Sequence, residues 1–298
     1  MNMNQQWMKQ VTIKQLQQPT SLRDQLIAWR IPRRIQGQLR QGRRVLVNGS
    51  YKPMNTNLKA GDELTMLFMD TDFTTPVSSY VPDASQTVEV LFENEDLLVV
   101  NKSAGVKMHP NSPGETGTLM NYVQAYLSHD DLADAYMVHR LDEDTSGAVL
   151  IAKTPIVVSV LNAYLKDKVI QRAYLAIVEG VMNQTQGDVD LPIGINPENE
   201  RLRQVNGLKA QKALTHWKVT HSFDNHTLVA LQLDTGRTHQ IRVHMQALGH
   251  PIVGDRYYNR EQSHSRLMLH ANKITFIMPF TNEQREVKGA LPKDFCLN

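Results

Sequence analysis

Residues 71–86, TDFTTPVSSYVPDASQ, constrain the architecture more than any other stretch of this 298-residue chain. They are rich in Thr, Ser and Pro and keep neither the alternation of a strand nor the spacing of a helix. The interruption predicts a small module over 1–70, a linker over 71–86 uncommitted to either core, and a larger domain over 87–298. The larger part is long enough to bury a core without disulfides or metals.

Charge divides the chain at nearly the same place. Residues 1–60 hold eleven Lys and Arg against one acidic residue, Asp24, a net charge of +10. The remaining 238 residues hold 21 Lys and Arg against 29 Asp and Glu, a net charge of −8. A basic end on an acidic body fits a polyanion partner or a solvated basic face, and composition leaves both open. The polar start, residues 1–6, lacks an apolar h-region, so no signal peptide is expected. The longest apolar runs, 97–100 and 156–158, are too short to span a bilayer, so no membrane partner is expected. The single cysteine, Cys296, fits a reducing cytoplasm, the expected location.

In the small module, Leu22, Leu26 and Trp29 have helical spacing with Ser21 as a cap. Pro32 breaks that helix, and Ile35 and Leu39 predict a second one carrying Arg33, Arg34, Arg40, Arg43 and Arg44. The pattern becomes regular at about residue 11. A strand over 45–47 ends at Asn48-Gly49, and Gly61-Asp62 precedes another over 63–68. In the larger part, strands are expected at 88–92, 97–101, 147–153, 170–178, 209–223 and 227–233. A helix over 117–128 would pack Leu119, Tyr122, Val123 and Tyr126. Another opens at Thr154-Pro155 and buries Val158, Leu161 and Leu165. A last one starts with Thr238 as N-cap, turns Ile241, Met245 and Leu248 inward, and stops at Gly249. Strands and helices interleave without a βαβ repeat, which predicts an α+β fold with a mixed, largely antiparallel sheet flanked by helices.

Three segments can carry chemistry. His139-Arg140-Leu141-Asp142-Glu143-Asp144-Thr145-Ser146-Gly147 joins an apolar stretch to a strand. A carboxylate in such a loop is pinned, as a nucleophile must be; the same residue types also make ordinary turns. Gly236-Arg237-Thr238-His239-Gln240-Ile241-Arg242-Val243-His244 places Arg237 at a helix entrance, where a guanidinium can keep a nearby carboxylate ionised. Strand alternation puts Arg172, Tyr174, Ala176 and Val178 on one face, where Tyr174 either packs in the core or stacks on a base. His239 and His244, five apart, lack metal-ligand spacing, so no metal is expected. The sequence has no P-loop, no dinucleotide fingerprint and no nucleophile elbow.

Together these segments resemble the RluA-type family of RNA pseudouridine synthases. The likeness covers about 87–298: HRLDEDTSG is similar to the family's catalytic motif, followed in order by RAYLAIVEG, LDTGRTHQIRVH, GHPIVGD and RLMLHA. Residues 11–70 resemble the S-four-like RNA-binding module that often precedes this catalytic domain. The resemblance implies isomerisation of uridine in RNA to pseudouridine, without metal or organic cofactor. It implies Asp142 as the catalytic aspartate, Tyr174 as the active-site tyrosine, Arg237 as the arginine paired with the aspartate, and Arg140 as a displacer of the target nucleotide. The expected partner is RNA, ribosomal first and transfer RNA as the alternative, with the chain a monomer. The competing expectations are a non-catalytic RNA-binding or ribosome assembly protein, and a hydrolase using His139 and Asp142.

Overall fold

The computed structural model describes residues 6–14, 16, 18–74, 80–129, 133–259 and 264–295. In the N-terminal module, strand β1 (Gln6–Thr12) leads to helices α1 (Leu22–Ala28) and α2 (Arg33–Gln41). Strands β2 (Val45–Val47), β3 (Ser50–Tyr51) and β4 (Glu63–Met69) follow. Ser21 caps α1 by accepting from the Asp24 N–H at 3.2 Å. Asn48 and Gly49, both at positive φ, make the tight turn between β2 and β3. The antiparallel order is β1-β4-β2-β3. Strand β1 begins several residues before the pattern at 11 would place it, because Trp7 and Lys9, both buried, alternate with exposed residues.

The stretch 71–86 is not an uncommitted linker. Asp72 is buried, its carboxylate held by Arg44 at 2.8 Å and by the Met69 N–H at 2.8 Å. At the other end Asn121 donates to Val81 O at 2.7 Å, and Gly117 N–H donates to the Asp83 carboxylate at 2.9 Å. Residues 75–79 between these anchors, and Cys296, lie outside the described residues. The module also shares its core with the body: Trp29 meets Phe280 edge-on at 5.7 Å. Lys9 Nζ reaches both oxygens of Asp96 at 2.7 Å with both side chains buried. Removing one member of such a pair costs roughly 3–5 kcal/mol, because the other charge is left without compensation.

The body begins with β5 (Val90–Glu93), β6 (Leu97–Lys102), α3 (Leu119–Leu127), β7 (Tyr136–Met137), β8 (Ser146–Ala152) and α4 (Pro155–Lys166). Then come β9 (Gln171–Glu179), β10 (Gln186–Asp190), β11 (Ile193–Ile195), β12 (Arg203–Val205) and β13 (Leu208–Gln211). The chain closes with β14 (Leu214–Ser222), β15 (His226–Leu233), α5 (Gln240–Ala247), β16 (Leu269–Ile277) and β17 (Gln284–Lys288). A ten-stranded sheet runs β10-β14-β15-β9-β16-β8-β6-β5, with β7 on β8 and β17 on β16. Among the named strand pairs of the described residues only β16–β8 is parallel, so the fold is α+β with a mixed, largely antiparallel sheet. Every residue of β8 is buried. Ala148, Leu150 and Ala152 enter one core, with α4 and the N-terminal module, and Val149 and Ile151 enter the other. Thr154 caps α4 with Pro155 in its first turn.

Three local patterns differ from expectation. Helix α3 buries Leu119, Val123 and Leu127, while Tyr126 turns outward to donate to Glu93 at 2.7 Å. Helix α5 starts at Gln240, later than Thr238 as cap would allow, and Leu248 is exposed. The stretch 209–223 is two strands: β13 joins β11 and β12 in a small separate sheet, and β14 joins the large one.

Candidate active site

The acidic loop 138–145 hangs between β7 and β8, and its exit is fixed by the sheet. Gly147 pairs with Ala271 of β16, and a Cβ there would lie 2.3 Å from Ala271 O. With φ at +115°, the position excludes other residues twice over. The loop's underside is held by Lys102. Its buried Nζ donates to Ser103 O at 2.9 Å, Val106 O at 2.6 Å and Glu143 O at 2.7 Å. Three carbonyls use all three donors of an ammonium. Burial pushes Lys102 down to about 7, against the pull of Asp144, Asp142 and Glu143. The segment around Lys102 reads in the sequence as ordinary turn scaffold, and nothing local marks it as the loop's support.

Asp142 meets Arg242, not Arg237. Arg242 Nη1 lies 3.4 Å from Asp142 Oδ2. The guanidinium is buried and held rigidly by Asp255, Nε to Oδ2 at 2.7 Å and Nη2 to Oδ1 at 2.8 Å. It packs against the rings of Tyr257 and Tyr258. Arg237 is exposed, and its Nε donates to Lys212 O at 3.0 Å. Arg237 precedes α5 and is exposed, whereas Arg242 sits within the helix and is buried. Arg242 stood in the same nine-residue motif, but its partner Asp255 comes from the separate GHPIVGD segment. His239 is the second neighbour of Asp142, Nε2 to Oδ1 at 4.0 Å.

These groups face a cavity of about 650 Å³ lined by Arg140, Asp142, Arg172, Tyr174, Arg237 and Arg242 among others. That volume suits a small-molecule-sized guest such as one nucleotide. Tyr174 is buried on β9; burial raises its hydroxyl pKa, Arg172 lowers it and Asp142 raises it further. Arg172 reaches the cavity past Gly236, where a Cβ would lie 2.8 Å from Arg172 Nη1 and the side chain would have to shift. Arg140 is exposed at the rim. His139 turns away into the core, where its Nε2 accepts from the Leu150 N–H at 3.0 Å. Burial, with help from Arg172, pushes its pKa down to about 3. A hydrolase using His139 with Asp142 therefore has no basis in this geometry. Among the described residues no cluster of three His, Cys, Asp or Glu could hold a metal ion.

The arginines of the N-terminal module divide. Arg33, Arg40 and Arg43 are exposed, and Arg33 and Arg40 flank a shallow groove between α1 and α2. Arg34, also exposed, donates to the Asp72 backbone carbonyl. Arg44, expected among the RNA-binding residues, is committed to buried Asp72 and to Leu67 O at 3.1 Å, so it supports the fold.

Comparison with known proteins places the chain in a family. The family described as RNA pseudouridylate synthase matches residues 96–247. The RluD ribosomal pseudouridine synthase N-terminal domain matches residues 9–64. The RNA pseudouridine synthase YhcT of Bacillus subtilis is 36% identical over 254 residues, 84% of this chain and 82% of that protein. Ribosomal large subunit pseudouridine synthase D of Zymomonas mobilis is 36% identical over 229 residues, 70% of this chain and 71% of that protein. Among solved structures, human RNA pseudouridylate synthase domain containing 1 aligns with a TM-score of 0.59 at 29% identity, covering 72% of this chain and 87% of that one.

Proposed function

Because this chain belongs to the RluA-type family of RNA pseudouridine synthases, we propose that it isomerises uridines of ribosomal RNA with Asp142 as the nucleophile. The ribosomal target is supported by the ribosomal large subunit synthases among its relatives and by the matching N-terminal domain. Work on ribosomal RNA belongs in the cytoplasm, and no helix among the described residues is long and apolar enough to cross a membrane.

The observation that carries the reading is the half-buried carboxylate of Asp142, aimed into a nucleotide-sized cavity beside a guanidinium that is itself locked in place. The reaction breaks the bond from N1 of the base to C1′ of the ribose and makes one from C5 to C1′. The C5 hydrogen leaves as a proton and N1 gains one, so nothing is oxidised and no group is added. Such chemistry needs a fixed carboxylate, a counter-charge that keeps it ionised, and an aromatic wall for the turning base. Asp142, Arg242 and Tyr174 fill these three roles. Arg140 and Arg237 at the rim meet the displaced strand, and Arg33, Arg34, Arg40 and Arg43 contact phosphates further out.

The test is tritium release from ribosomal RNA labelled at C5 of uridine, with pseudouridine mapping to locate the target. The wild type is expected to release tritium, and Asp142→Asn to fold normally, bind RNA and release none. Turnover by the Asn variant within tenfold of wild type removes Asp142 from its role.

A further inference from the structure

We propose that His239 is a positioning residue for Asp142: a neutral imidazole, fixed by Tyr258 with its proton on Nε2, that presents this N–H to the second carboxylate oxygen. The inference rests on the reading of Asp142 as the nucleophile and goes beyond it, since neither the motif nor the expected aspartate–arginine pair gives His239 a part.

The backbone comes first. His239 sits at φ 58° and ψ 20°, the left-handed region that a residue with a Cβ enters at a cost. It is the N-cap of α5, yet its side chain gives that helix no capping bond. The left-handed turn therefore serves the direction of the ring. One ring nitrogen goes to the protein and the other to the cavity.

The hydrogen bonds then assign the tautomer. Tyr258 Oη accepts from the Arg203 N–H at 2.9 Å and lies 2.8 Å from His239 Nδ1. Tyr258 is buried, and an unpaired buried hydroxyl proton is costly. The phenol satisfies both of its roles by donating to Nδ1 while accepting from Arg203. A neutral imidazole that accepts at Nδ1 carries its proton on Nε2. The ring is neutral because burial lowers its pKa, more than the nearby Asp142 raises it. Arg242 and Arg203 oppose a positive charge on the ring, and Asp255 favours one.

Packing holds that orientation. Tyr257 lies nearly parallel to the imidazole at 16° and 6.4 Å, and Tyr258 stands edge-on at 5.5 Å. The two oxygens of Asp142 consequently face different donors, Oδ2 facing Arg242 at 3.4 Å and Oδ1 facing His239 at 4.0 Å. Both distances are longer than a formed hydrogen bond, as is common before a substrate closes an active site. Arg242 supplies charge, while His239 supplies direction without adding a second cation, so the carboxylate stays nucleophilic.

The test uses the full-length protein with 15N-labelled histidine. The His239 signal, identified by its loss in His239→Gln, is expected to show the Nε2–H tautomer alone. In Tyr258→Phe the lock is gone, and both tautomers should appear. In kinetics, His239→Leu removes the donor, and kcat should fall about ten- to hundredfold, the range for a hydrogen bond to a charged group, with KM little changed. Its acidic limb should move to higher pH, because the carboxylate has lost a donor that favours its charged form. His239→Gln keeps an N–H at the same reach and the same unbranched Cβ, and should restore the limb and most of kcat. A wild-type ring protonated at Nδ1, or identical acidic limbs for Leu and Gln, overturns the proposal. The tautomer is read without RNA, so it decides the lock even if the wild type turns over no RNA, a result that would instead defeat the reading of Asp142.

Discussion

Two groups of arginines make different use of the same side chain. At the active site, Arg242 is buried, clamped by Asp255 on two nitrogens and flanked by two tyrosine rings. On the N-terminal module, Arg33 and Arg40 stand exposed beside a shallow groove, and Arg43 lies over the Tyr51 ring at 5.5 Å. The first group is one charge held on two nitrogens by a single buried carboxylate. The second is several charges whose positions are exchangeable. Chemistry at a single carbon requires the first kind, and holding a flexible polyanion requires only the second. The difference also corrects a simple view of the charge asymmetry. Part of the positive charge of residues 1–60 pairs with carboxylates of the body, Lys9 with Asp96 in a buried pair, and Lys14 with Glu283 and Arg30 with Asp167 in exposed ones. The basic end is thus partly a docking face for the acidic body, and its remaining exposed arginines are those proposed to meet RNA.

The largest effect should follow from breaking the clamped arginine. Arg242→Ala leaves Asp255 buried without its partner and Asp142 without its cation. Removing one partner of a buried pair costs roughly 3–5 kcal/mol, and denaturant unfolding should show a loss of that size together with near-complete loss of activity. Arg237→Ala is the control. Its side chain is exposed and, among the described residues, bonds a backbone carbonyl alone, so stability should change by less than about 0.5 kcal/mol. If the two variants lose equal stability, the contrast between clamped and free arginines fails.

That pair of variants also marks where the sequence stops being legible. The α+β class, Ser21 and Thr154 as caps and the Asn48-Gly49 turn follow from local chemistry, and local chemistry is written in consecutive residues. Asp142 stands out in the sequence because its loop resembles the family's catalytic motif, and its role is the one proposed above. Its partner could not be chosen by spacing, because residues 237 and 242 both line the cavity and only the fold shows which guanidinium lies against the carboxylate. Asp255, Tyr258 and Lys102 gain their roles only through contacts with distant segments. The small sheet of β11, β12 and β13 was hidden for a related reason, since its short strands bury little and carry weak alternation.

A middle-sized effect concerns pH and compares the buried imidazoles with the exposed charges. Burial pushes His139 down to about 3 and His270 to about 4. In the unfolded chain each binds a proton near 6.5. Between these values the unfolded state holds more protons, so stability falls as pH falls. The contribution is complete above about 6.5 and is lost progressively towards 4 and below, at roughly 1 kcal/mol per pH unit for each histidine over the steep part. Unfolding free energies measured at pH 7, 6, 5 and 4 should show this slope. His139→Gln, which keeps an acceptor for the Leu150 N–H, should flatten it between 6 and 4. An unchanged slope would mean that His139 is already protonated in the folded protein.

The smallest effect should come from the exposed arginines, and it sharpens the comparison most. Changing Arg33, Arg40 and Arg43 together to Gln removes three cations without disturbing a buried partner. If each meets a phosphate, counterion release on a single-stranded site predicts a salt slope shallower by up to about 2, from 0.7 per contact. At moderate salt the affinity for ribosomal RNA should fall by about tenfold, while kcat at saturating RNA stays unchanged because phosphate contacts position the RNA and take no part in bond exchange. Arg44→Gln removes one cation from the connection between α2 and β2, and its guanidinium serves buried Asp72. Its cost should therefore appear as lost stability, with the salt slope unaltered. Filter binding across a salt series, beside denaturant unfolding of both variants, separates the two outcomes. A triple variant with an unaltered slope would place the phosphate contacts elsewhere on the protein. An Arg44 variant that binds more weakly at full stability would return that residue to the RNA-facing set.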